Sequence, residues 1–143
     1  MDTAIWRGSP RLAAAVGVAV LLGAACAPRP GASGPAQAVN EPLARRGAEL
    51  FTQFGCNTCH STTGQRLIGP PLNGLYGKPV RLANGQTVTA DEAYLRESIL
   101  EPDAKIVEGY PAEVMASALA DKMNQIRQDD NVAALVEYIK GLK

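Results

Sequence analysis

The sequence is poor in histidine, in aromatic residues and in surplus charge. A single histidine, His60, stands among 143 residues, with one Trp, two Phe and four Tyr. Lys plus Arg and Asp plus Glu number 14 each, so the formal charge is zero. That balance excludes the basic stripe with which proteins displace counterions from phosphates, and with it a nucleic-acid partner. The lone His leaves no second imidazole for general acid–base work, and no Ser, Asp or Glu constellation replaces it. No apolar run reaches the roughly 20 residues a membrane-spanning helix needs. Disorder throughout is excluded as well, because 46% of the residues are hydrophobic and only 20% charged. The length suits one small domain, and 14 Gly with 10 Pro announce long irregular segments. So few aromatics make a thin core, and something besides side chains is expected to fill it.

What is present begins with a targeting segment. Arg7 and Arg11 outweigh Asp2 ahead of Leu12 to Ala25, a stretch without charge, which has the shape of a signal peptide over residues 1–25. Leu22-Gly23-Ala24-Ala25-Cys26 resembles the lipobox of bacterial lipoproteins, and that resemblance implies lipidation at Cys26, otherwise a thiol with no partner in an oxidising compartment. A conventional cleavage site, Ala36-Gln37-Ala38, lies well beyond the apolar run. The expected location is therefore the periplasm or the outer face of the cytoplasmic membrane. Residues 26–41 carry Pro28, Pro30, Pro35, Gly31 and Gly34 with no aromatic, and read as a flexible tether able to reach roughly 45 Å.

Residues 42–143 are the expected folded domain. Leu43, Ala44, Ala48, Leu50, Phe51 and Phe54 recur at helical spacing from Pro42 to Phe54, with Gly55 as a stop. Val80-Arg81-Leu82 and Thr87-Val88-Thr89 flank Asn84-Gly85 as a short hairpin. Thr89-Ala90-Asp91-Glu92 has the form of a capping box and predicts a helix to about Leu100, ended by Pro102. A last helix is predicted from Asp129 to Gly141, acidic at its start and basic at its end, with Val132, Leu135, Val136, Tyr138 and Ile139 on an apolar stripe.

Cys56-Asn57-Thr58-Cys59-His60 is C-x-x-C-H, the attachment sequence of c-type haem. Two thiols at this spacing reach the vinyl groups on one porphyrin edge, and the next residue turns its imidazole to the iron. Structural zinc needs four N or S ligands, and beyond these three the chain offers only Cys26. A thioredoxin-type redox pair needs a preceding strand in a βαβ unit, whereas a helix precedes here.

The surrounding residues resemble a class I c-type cytochrome, and most nearly the cytochrome c domain fused to subunit II of bacterial cytochrome c oxidases. The resemblance rests on Arg46 to Phe51, Gly55 to His60, Gly69-Pro70-Pro71-Leu72-Asn73-Gly74-Leu75-Tyr76-Gly77, Leu95 to Pro102 and Gly109-Tyr110-Pro111 through Met115. It implies a mainly α, class I cytochrome c fold with crossing terminal helices, haem-wrapping loops and a small β-hairpin insertion. It also implies one haem c on Cys56 and Cys59, His60 as proximal iron ligand, and the Pro70 backbone carbonyl accepting the other ring N–H of His60. Gly47 and Phe51 are expected to meet Tyr138 where the helices cross. Met115 lies in the segment where the family's distal ligand falls; Met123 is the alternative, since its distance to Tyr138 suits smaller bacterial cytochromes.

The leading functional expectation is a one-electron carrier of an exported respiratory chain, a monomer that donates to a terminal oxidase and needs no catalytic residue. A fixed haem subunit of a larger assembly, such as a quinol-oxidising complex, and a ligand-binding or peroxidatic haem protein with an open distal site are the alternatives.

Overall fold

The computed structural model describes residues 38–143; the expected signal peptide, Cys26 and the tether up to Gln37 lie outside the described residues. Helix α1 spans Glu41–Gln53. Its start is fixed by Asn40, whose side chain accepts the Leu43 N–H at 3.2 Å, with Pro42 in the first turn. Its end is fixed by Gly55, whose φ of 79° takes the chain out of the helix. Asn40 and Glu41, placed by sequence in the tether, thus already belong to the cap and first turn of this helix.

Helix α5 spans Asp129–Gly141 and crosses α1. Gly47 makes the crossing possible, because a Cβ there would lie 2.0 Å from the Ala134 carbonyl oxygen and 2.7 Å from Tyr138 Cβ. One turn further along, the Phe51 and Tyr138 rings meet tilted, centroids 5.2 Å apart. Val132 and Ala134, also on α5, are fully buried.

Strands β1, Pro79–Arg81, and β2, Thr87–Thr89, pair antiparallel with Val80 opposite Val88. The expected hairpin turn is present, with Gly85 at φ 84°. Helix α2, Glu92–Leu100, follows at once. Its cap differs from the expected capping box. Asp91 is the cap, its side chain accepting the Tyr94 N–H at 2.8 Å, because Thr89 is committed to the strand opposite Pro79. Two short helices, α3 at Val114–Leu119 and α4 at Met123–Ile126, are joined by a single 3-10 turn and give no periodic signal in the sequence. The mainly helical fold with its two-stranded sheet is the class I cytochrome c fold expected from sequence.

Candidate haem-binding site

These elements enclose an apolar cavity of about 320 Å³. Phe51 and Phe54 line it from the end of α1, Leu95 and Ile99 from α2, and Leu135 and Ile139 from α5. Cys56, Cys59 and His60 line the same cavity, the first of them in a 3-10 turn that follows Gly55 directly. The stop that ends α1 therefore also delivers the C-x-x-C-H segment to the cavity wall. Cys56 and Cys59 form no disulfide with each other.

The imidazole of His60 is held on several sides. Its Nδ1 lies 2.8 Å from the Pro70 carbonyl oxygen. A Cβ on Gly69 would stand 2.5 Å from Cε1, so only glycine lets that backbone pass over the ring. The loop is closed by the Gly69 N–H on the Cys59 carbonyl at 2.8 Å and the Leu72 N–H on the Ser61 carbonyl at 2.9 Å. Burial pushes the His60 pKa below its ordinary value, and the Pro70 carbonyl offsets this only in part. The ring is accordingly neutral at pH 7 with its proton on Nδ1, and Nε2 is the nitrogen left to bind a metal. Burial raises the Cys56 thiol pKa, against its own backbone hydrogen bond and the nearby charge of Lys122.

Of the two candidate methionines, Met115 lines the cavity. Met123 does not; it lies in a separate shallow groove with Leu100, Pro102, Ala116 and Ala120. Pro70 is also part of the cavity lining. Three further residues in or near the site are given no individual role by the sequence. Ser98 lines the cavity with its Oγ buried and turned towards Tyr94. Lys122 donates from Nζ to the Phe54 carbonyl at 2.9 Å, beside the Cys56 turn. Arg66 reaches Gly109 and Tyr110, far from it in sequence. Only their position in the fold gives them roles.

The residues fit a haem. Among the described residues no three His, Cys, Asp or Glu side chains converge as they would to hold a bare ion. What converges is a neutral imidazole, two thiols and one thioether around an apolar space.

The comparisons with known proteins agree. The family model described as Cytochrome c matches residues 44–143, and the chain belongs to that family. It is 31% identical over 109 residues to cytochrome c2 iso-1 of Magnetospirillum fulvum, an alignment covering 67% of this chain and 100% of the relative. Cytochrome c2 iso-1 of Magnetospirillum molischianum is 31% identical over 100 residues, covering 62% and 90%. The prosthetic group is thus covalently attached haem c, and the chain is a mono-haem electron-transfer protein.

Proposed function

We propose that this protein is an exported, membrane-tethered one-electron carrier that delivers electrons to a terminal oxidase, with Cys56 and Cys59 holding the haem and His60 and Met115 as axial ligands. One observation carries the assignment: Met115 and the C-x-x-C-H residues line one apolar cavity, while Met123 lies outside it.

The haem supplies the chemistry, an iron that accepts and releases one electron. The chain's residues keep that event inexpensive. Gly69 and the Pro70 carbonyl keep the His60 ring from turning, so the proximal side changes little when charge changes. The apolar walls from α1, α2 and α5 exclude water, and a thioether together with an imidazole as ligands would raise the potential of the bound haem. Ile68 is 54% exposed and Val114 38% exposed, yet both also line the cavity, and Leu67 beside them is exposed too. This apolar rim is the surface offered to a redox partner.

The oxidase assignment draws on the likeness to domains fused to oxidase subunit II, and export on the basic, then apolar, N-terminal segment with its Cys26 lipobox. Among the described residues no helix is long and apolar enough to cross a membrane; the proposed tether is a lipid on Cys26, supported by the lipobox-like Leu22 to Cys26. Two measurements test the proposal. Mass spectrometry of the mature protein should find one haem and a diacylglycerol on Cys26. Membranes lacking the protein should lose oxidase turnover and regain it on addition of the reduced cytochrome; unchanged turnover without it overturns the oxidase assignment.

A further inference from the structure

We propose that Arg66 is a positioning residue: it latches the segment that carries Met115 to the loop that follows His60, and so sets how often the methionine side of the site opens. The proposal rests on Met115 as the distal ligand and adds what holds it there.

Arg66 Nη2 donates to the Gly109 carbonyl at 2.5 Å, a contact between residues 43 apart in sequence. Its guanidinium carbon also lies 4.4 Å from the centroid of the Tyr110 ring. A planar guanidinium makes both contacts at once, stacking through its face and donating in its plane, which an ammonium does not. Gly109 is shaped for the arrangement. It has φ +78°, and a Cβ there would come within 3.1 Å of Arg66 Nη2.

The two ends of the latch belong to the site. Ile68, two residues beyond Arg66, lines the cavity where it meets solvent, and so do Tyr110 and Val114. The segment between Tyr110 and α3 has little else to hold it. Residues 111–114 are exposed, and Glu113 sits at φ 66°, a left-handed conformation unusual for a side-chain-bearing residue. Its N–H is tied at 2.7 Å to Asp103, a residue from the same side of the loop. Arg66 is the tie that comes from the His60 side of the chain.

Losing the latch increases the fraction of time in which the segment stands open. The expected change is about tenfold, for one exposed cation–π contact and one charge-assisted hydrogen bond lost together. The test uses ferric holoprotein with Arg66→Ala and Arg66→Lys. One readout is the rate at which added imidazole binds the iron; the other is hydrogen exchange at the amides of residues 109–115. Arg66→Ala should raise both about tenfold, and Arg66→Lys should fall between it and wild type, because lysine restores the charge but not the stack. An unchanged value of either readout in Arg66→Ala overturns the proposal, and so does full restoration by lysine, which would reduce Arg66 to a surface charge. Failure of the ligand assignment looks different: wild-type protein would itself lack the methionine-to-iron charge-transfer band, and the amide exchange would still decide whether Arg66 holds the segment.

Discussion

His60 and Pro70 are joined through Nδ1 and a backbone carbonyl oxygen 2.8 Å apart, and the Gly69 backbone lies against the same ring. Hydrogen bond and steric contact act together. The first sets which nitrogen carries the proton, and the second stops the ring from rotating away from it.

Gly69→Ala should therefore disturb the site before it disturbs the fold. Its Cβ would stand 2.5 Å from His60 Cε1 and 2.8 Å from Nδ1, so the ring or the loop must move. We expect a loss of about 2 kcal/mol in denaturant unfolding of the holoprotein. The visible spectrum and the potential should shift with it, since the imidazole can no longer keep its orientation.

Gly47→Ala should do the reverse. The added carbon would meet the Ala134 carbonyl oxygen at 2.0 Å, and backbone in the middle of α5 yields less readily than a side chain. We expect about 3 kcal/mol of destabilisation. The absorption spectrum of the fraction that remains folded should match wild type.

The link between the terminal helices should give stability a pH dependence. Glu137 accepts from Lys140 Nζ at 2.5 Å and from the Asn40 N–H at 2.7 Å, and the Lys140 side chain is only 3% exposed. Burial alone would raise the Glu137 carboxyl, but both hydrogen bonds and the lysine charge outweigh it and hold the pKa below its ordinary value. Burial likewise opposes the Lys140 charge, but the Glu137 hydrogen bond and charge, with that of Glu92, raise its pKa.

A depressed carboxyl stabilises the fold above its unfolded pKa and loses the effect as pH falls through the folded one. A raised ammonium stabilises below its unfolded pKa and loses the effect as pH rises through the folded one. The pair's contribution should thus be full between pH 4.5 and 10.5, the ordinary values of the two groups, and fall away on either side. Glu137→Gln should cost about 2 kcal/mol at pH 7, less than breaking an isolated buried pair because Glu92 remains beside Lys140. Thermal melts across pH should show a flatter acid limb in this variant.

The haem should be part of the core rather than a guest in it. A cavity of about 320 Å³ lined by Phe51, Leu95, Leu135 and Ile139 cannot stay open to water without cost. Cys56→Ala/Cys59→Ala protein without haem should lose most of its helical circular dichroism. A native apo spectrum would contradict this.

Much of this arrangement is legible in the chain, for local reasons. Helices α1 and α5 announce themselves through apolar spacing, Gly55 as a stop and acidic residues at Asp129 and Asp130. The Asn84-Gly85 turn specifies its hairpin. Thr89 misleads because two local signals overlap on it, and strand pairing prevails over capping. Helices α3 and α4 are too short for a periodic signal, since 6 and 4 residues complete barely one or two turns. Arg66, Ser98 and Lys122 are invisible for a different reason. An exposed arginine, a helical serine and a loop lysine are ordinary residues until the fold brings Tyr110, the cavity and the Phe54 carbonyl to them.

The most direct test of the account is the electronic spectrum of the ferric protein in two variants, Met115→Ala and Met123→Ala. Met115 lines the cavity with His60, and Met123 lies in the groove outside it. Met115→Ala should lose the methionine-to-iron charge-transfer band at the red end of the visible spectrum, turn high-spin and drop in potential, while Met123→Ala keeps the wild-type spectrum. Retention of the band in Met115→Ala, or its loss in Met123→Ala, would contradict the account.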